Sequence, residues 1–172
     1  MNTLVVNFFA GPGAGKSTMS AALFAELKSR GILCELVTEY AKDKVWEESF
    51  GVFNDQIYIF GKQNHRIRKL LGKVAVVITD SPVLLSLFYG PGESDEFKAL
   101  VLWEFSSTRS FNVFLNRVKK YEPAGRMQTE TEAIEVDSKI RNVLDECNIP
   151  YTTIDGKVGN VTALADRIVK FL

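Results

Sequence analysis

Histidine and cysteine are nearly missing from this chain of 172 residues, which carries one of the former and two of the latter. Cys34 and Cys147 lack metal-ligand spacing, so neither a cysteine-rich metal centre nor a disulfide framework is expected. Their expected role is packing, in a reducing cytoplasm. His65 has no obvious cysteine or serine partner and no ligand cluster, and it reads as a solvated helix residue. Net charge is missing too: 21 basic side chains balance 21 acidic ones, so no overall field steers the protein onto nucleic acid or an anionic membrane. Any anion site must be built locally.

Apolar runs are short and strand-like, as at residues 74–78, and none approaches the ~18 residues that span a bilayer. Residues 1–16 lack a basic start and a small-residue cleavage site, so no secretory leader is expected. Repeats, low-complexity tracts and linkers rich in proline, glycine or serine are absent. One domain over residues 1–172 is expected, long enough to bury a core without metal or disulfide staples. Only residues 90–94, Gly-Pro-Gly-Glu-Ser, look like a mobile surface loop.

What the chain does have is concentrated near its start. Residues 10–18 read Ala-Gly-Pro-Gly-Ala-Gly-Lys-Ser-Thr, after an apolar run at 3–9 and before a helical pattern opening at Ser17. This is the phosphate-loop pattern G-x-x-x-x-G-K-[ST], with Ala10 in place of the first glycine. Gly11, Gly13 and Gly15 allow backbone shapes closed to other residues and, with Ala14 and Thr18, bring N–H groups onto one anion. Lys16 adds a point charge, Ser17 offers a hydroxyl to Mg²⁺, and the helix dipole points at the same oxygens. A nucleoside triphosphate is the implied ligand. Ala10 is tolerable if its φ is negative.

Further along, apolar runs at 32–38, 74–79, 111–115 and 151–154 predict strands. Helical patterns are expected at 17–30, weakly at 39–48, then at 55–71, 95–105, 130–147 and 161–172. Ile57, Phe60, Ile67, Leu70 and Leu71 mark the buried side of the third of these, and Phe97, Leu100, Val101 and Phe105 that of the fourth. Strands alternating with helices predict a doubly wound α/β sheet with right-handed crossovers. Ligands in such sheets bind beyond the carboxyl ends of the strands, so the loops after Phe9, Thr38, Thr79, Leu115 and Ile154 are expected to form one site.

Asp80 ends the run Val-Ala-Val-Val-Ile-Thr-Asp, where a carboxylate can hold Mg²⁺ near Ser17; its alternative is to cap the turn at Ser81-Pro82. Glu39 follows the second strand and can orient an acceptor hydroxyl and take its proton, or it can simply begin a surface helix, with Asp43 a weaker candidate base. Gln56, Gln63 and Arg66, at spacings of seven and three, can share a face and bind a base, sugar or phosphate. Arg117, Lys119, Lys120 and Arg126 gather with only Glu122 opposing them, and residues 117–129 read as a basic lid closing over the transferring phosphate. Gly156, within Asp155-Gly156-Lys157-Val158-Gly159, belongs to a loop that can wrap a nucleotide base or serve as an ordinary turn.

Taken together, these residues resemble the P-loop kinases of nucleosides and nucleotides. Phe8 to Thr18 is similar to the opening of adenylate-kinase-like enzymes, and Asn116 to Arg126 to their arginine-bearing lid. Glu39 sits where deoxynucleoside kinases and nicotinamide riboside kinases carry the acid facing the acceptor hydroxyl. Asp80-Ser81-Pro82 stands at their Asp-Arg or Glu-Arg-Ser motif, with the arginine missing. The whole chain is similar to small kinases of tailed bacteriophages, some of which are held to phosphorylate 5-hydroxymethyluracil in DNA. The resemblance implies a five-stranded parallel core and the use of ATP with Mg²⁺. A nucleoside, nucleotide or modified DNA base is then the expected acceptor, with no obligate protein partner; a nucleotide-dependent switch or ATPase acting on a protein is the alternative.

Overall fold

Six consecutive buried residues, Leu-Val-Val-Asn-Phe-Phe, make strand β1 (Leu4–Phe9) the centre of the protein. A strand covered on both faces needs apolar side chains at successive positions, and β1 has them everywhere but Asn7. The computed structural model describes residues 2–89, 94–118, 120–122 and 129–172. Around β1 the chain forms β2 (Cys34–Val37), β3 (Val76–Thr79), β4 (Arg109–Asn116) and β5 (Thr152–Asp155). All pairings are parallel, in the order β2-β3-β1-β4-β5. The expected five-stranded α/β architecture is therefore present.

The helices are α1 (Lys16–Ser29), α2 (Tyr40–Trp46), α3 (Gln56–Arg68), α4 (Asp95–Ser106), α5 (Glu130–Glu146) and α6 (Val161–Phe171). One face of the sheet sends Leu4, Val6 and Phe8 against Met19 and Leu23 of α1 and Leu164 and Ile168 of α6. The other sends Val5, Phe9 and Val77 against Phe60 of α3, Val101 of α4 and Ile140 of α5. Asn7 points into the second core and is satisfied there: its amide donates to Asn112 Oδ1 at 3.0 Å, and Asn112 donates to the Pro150 carbonyl at 3.0 Å.

Several helix starts follow local chemistry. The Asp55 carboxylate accepts from the Tyr58 N–H at 2.9 Å, Ser94 accepts from Phe97, and Thr129 with Glu132 forms a reciprocal capping box. Two predicted core positions are corrected: Ile57 is 60% exposed and Leu100 is 42% exposed. On α3 the buried stripe runs through Gln56, Ile59, Phe60, Gln63 and Ile67, because part of this face lines a polar cleft as well as the core. Short 3₁₀ turns at Phe50–Asn54, Val83–Leu87 and Val158–Asn160 have no counterpart in the apolar periodicity. Of the expected mobile loop, residues 90–93 lie outside the described residues.

Sheet order decides where a ligand goes. From β1 the chain crosses to one side, through α1 to β2, and from β3 it crosses to the other, through α4 to β4. The crevice between the ends of β1 and β3 is the switch point, and the glycine-rich loop and Asp80 emerge beside it.

Candidate active site

The loop between β1 and α1 has the backbone its glycines permit. Gly13 and Gly15 adopt φ of 81° and 100°, and α1 opens at Lys16 with no acidic residue in its first turn and no side chain capping it. Its first N–H groups therefore have no side-chain cap and are available to an anion. Ala10 is not among the positive-φ residues, so alanine stands there without backbone strain. Lys16 folds back over the loop, its Nζ donating to the carbonyls of Ala10 at 2.7 Å and Gly11 at 3.1 Å. Burial holds its ammonium below the ordinary lysine value, while Glu39, Asp80 and Asp137 pull the other way.

A cleft of about 360 Å³ extends from this loop. Gly13, Gly15, Lys16 and Ser17 line one end, and Glu39, Gln56, Gln63 and Tyr89 the other. Glu39 is the residue just before α2, and burial raises its carboxyl above the usual value, opposed by Lys16 and then Lys42. Gln63 holds that helix start, its Oε1 accepting the Tyr40 N–H at 2.9 Å. Asp43 instead faces Arg66 at 2.7 Å beyond the cleft wall, which leaves Glu39 as the carboxylate facing the crevice. Asp80 is only 3% exposed, and its Oδ1 has no hydrogen-bond partner among the described residues. An unpaired buried carboxylate oxygen within electrostatic range of Lys16 fits a place for a divalent cation held jointly with nucleotide phosphates. Among the described residues no three His, Cys, Asp or Glu side chains gather into a metal centre.

At the far side of the loop, Arg117 is not poised over open space as a lid residue. Its guanidinium grips Asp137 of α5 at 2.9 Å and donates to the Pro12 carbonyl at 2.7 Å. Asp137 Oδ1 also accepts the Gly11 N–H at 2.5 Å, so β4, α5 and the phosphate loop are tied through one carboxylate. A Cβ on Gly11 would lie 2.3 Å from the Ala133 carbonyl, and one on Gly156 would lie 2.6 Å from that of Ala14. Gly156 thus allows close backbone approach to the phosphate loop at Ala14. Lys119 and residues 123–128, Arg126 among them, lie outside the described residues.

The sequence pattern of the AAA domain family matches residues 5–160. This chain belongs to the AAA domain family. No curated protein sequence matches it. In fold the AAA domain is similar to NadR protein, solved in complex with NR, with a TM-score of 0.72 and 17% identity over 96% of this chain and 51% of that one. It thus spans about half the length of that neighbour, and at this identity the likeness is one of fold. What that likeness shares is the architecture, a five-stranded parallel sheet flanked by helices. No helix among the described residues is long and apolar enough to cross a membrane.

Within the AAA domain, the structure brings Lys16, Ser17, Glu39, Gln56 and Gln63 to one cleft and places Arg66 outside it. Although Arg66 shares a helical face with Gln63, its guanidinium reaches away from the cleft to Asp43 and the Thr38 carbonyl. Sequence reasoning missed Asp137, Tyr89, Lys42 and Ser86. Asp137 looks like any polar residue of an amphipathic helix, and no local pattern links it to Gly11, 126 positions earlier. Tyr89 and Ser86 enter through the Val83–Leu87 turn, which carries no periodic signal. Lys42 alone had a clue, being one helical turn beyond Glu39.

Proposed function

We propose that this chain transfers the γ-phosphate of ATP to a hydroxyl of a nucleoside, nucleotide or modified pyrimidine, the hydroxymethyl group of 5-hydroxymethyluracil included. The observation that carries this reading is a single cleft with a phosphate loop at one end and a burial-tuned carboxylate with amide side chains at the other. A site for hydrolysis alone has no need of the second end. Transfer breaks the bond from the γ-phosphorus to its bridging oxygen and forms one to the acceptor oxygen; ADP leaves, and the hydroxyl proton passes to Glu39 and then to solvent.

Loop amides and Lys16 bind the phosphates, Lys16 leaving the Ala10 and Gly11 carbonyls to do so. Ser17 and Asp80 would hold Mg²⁺, which when bound neutralises charge on the phosphate oxygens. Burial readies Glu39 to accept a proton at the acceptor oxygen, because it raises the carboxylate's basicity. Gln63 fixes the backbone from which Glu39 projects, and Asp137 with Arg117 braces the loop from behind. Arg126 is proposed to neutralise charge on the transferring group. Turnover requires no protein partner, and the two free cysteines suit a reducing cytoplasm.

The AAA domain assignment also supports a second reading, a nucleotide-dependent switch whose hydrolysis changes its hold on a protein partner. Purified protein with radiolabelled ATP, Mg²⁺ and pools of nucleosides, nucleotides and hydroxymethyluracil DNA separates the two. A labelled acceptor is expected. ATP consumption that never exceeds background with any pool, or hydrolysis that needs a protein and labels nothing, would overturn the phosphotransferase.

A further inference from the structure

Two polar side chains that line the cleft are left free by the protein around them, among the described residues. Gln56 is 4% exposed and Ser86 is 6% exposed; both line the cavity, and neither side chain makes a hydrogen bond among the described residues. Among the described residues only Asp80 Oδ1 is a fully enclosed side-chain atom without a partner, so the polar atoms of Gln56 and Ser86 open onto the cleft and are free to bond to whatever fills it. Gln63, by contrast, is already spoken for by Tyr40 and Thr79.

The surroundings narrow what that ligand is. Val45, Phe53, Ile59 and Leu85 give the cavity apolar walls, suited to the faces of a planar ring. A free carboxamide offers one donor and one acceptor side by side, the complement of an amide edge. Among the described residues, cations for a phosphate on the acceptor are scarce. Arg66 is turned away to Asp43, Lys44 is paired with Glu47, and Lys42, the one lysine on this wall among the described residues, shares the wall with the Glu39 carboxylate. Between Glu39 and Gln63 the sequence sets three lysines against five carboxylates, a poor surface for a polyanion.

Building on the phosphotransferase reading, we propose that the acceptor is a phosphate-free alcohol of nucleoside size whose planar ring presents an amide edge to Gln56 and a polar substituent to Ser86. The same edge occurs as the ring lactam of uracil and as the carboxamide of nicotinamide, and both are probed.

Calorimetry on protein preloaded with the non-hydrolysable analogue AMP-PNP and Mg²⁺ provides the test. Uridine, N3-methyluridine, nicotinamide riboside, the 3′- and 5′-monophosphates of uridine, the 5′-monophosphate of nicotinamide riboside and a hydroxymethyluracil oligonucleotide are titrated in turn. At least one parent nucleoside is expected to bind at least about tenfold tighter than any of its own monophosphates and than the oligonucleotide. Gln56→Leu is expected to weaken that binding by about tenfold or more while AMP-PNP binds as before, which also certifies the fold; Gln56→Glu, which loses the donor, should weaken it too. If the lactam is the edge, N3-methylation removes binding to the wild type but costs Gln56→Leu nothing further; if the carboxamide is, nicotinamide riboside alone responds. Monophosphates or oligonucleotide binding as tightly as the nucleoside, an unchanged Gln56→Leu, or no nucleoside binding to loaded protein would each overturn the proposal. Failure of AMP-PNP itself to bind would instead sink the underlying phosphotransfer reading.

Discussion

The two ends of the cleft are built by different means. At the phosphate end, nine consecutive residues, 10–18, supply the glycine backbone, the ammonium, the hydroxyl and the helix N-terminus. At the acceptor end, Glu39, Gln56 and the pair Ser86 and Tyr89 come from three separate segments, which meet because β2 and β3 lie side by side. Backbone donors contiguous in sequence recognise an anion common to many substrates. In the proposed reaction, side chains gathered from afar would select the acceptor. The contrast teaches that the general part of the chemistry is local and the selective part is tertiary.

Substitutions can break or sharpen this contrast. The largest effect is expected at the phosphate end: Lys16→Ala should lower phosphoryl transfer by about 10³-fold or more, read in a single-turnover assay. Asp80→Asn comes next, with a loss of about 10²-fold and, in a Mg²⁺ titration, loss of the metal-dependent tightening of ATP binding. A retained Mg²⁺ response would remove Asp80 from the metal's ligands.

At the acceptor end, Glu39→Gln should reduce kcat by about 10²-fold and leave the ATP dissociation constant unchanged. Its pH signature has a definite sign. Burial raises the Glu39 carboxyl above its ordinary value of 4.5, so the group keeps its proton to higher pH in the folded protein. In wild type, kcat/KM should rise with pH through that raised value, and the limb should vanish in Glu39→Gln. Stability moves the opposite way. The folded chain binds a proton the unfolded chain has released, so this group's contribution is full below 4.5 and is lost as pH rises through the raised value. Glu39→Gln should flatten that slope in urea titrations.

Asp137→Asn tests whether the loop needs its brace. Removing the charge that holds Gly11 N–H and Arg117 should cost about 2 kcal/mol of folding stability and weaken nucleotide binding by about tenfold, measured by denaturation and calorimetry. The smallest effect belongs to Arg66→Ala. Its partner Asp43 is half exposed and both lie outside the cleft, so a change of less than about threefold in kcat/KM is expected.

Most of the architecture was legible in the residues because strand and helix signals are periodic. The five apolar runs became five strands, the first three shortened, β4 lengthened and β5 shifted by one residue, and helix starts at Asp55 and Thr129 followed capping chemistry. The periodicity misled where a helix faces ligand space as well as core. On α3 it assigned Ile57 to the interior, while the folded chain buries Gln56 and Gln63. The basic neighbourhood of Arg117 pointed to a lid, whereas its contacts as a tether depend on Asp137, which arrives from α5.

The sequence by itself determined the anion cradle, since glycine torsions and an adjoining helix start are properties of neighbours along the chain. Only the tertiary structure decided which carboxylate faces the cleft, which arginine is a brace and which amide is left without a partner. Those are questions of side-chain surroundings, and surroundings are set by segments that packing alone brings together.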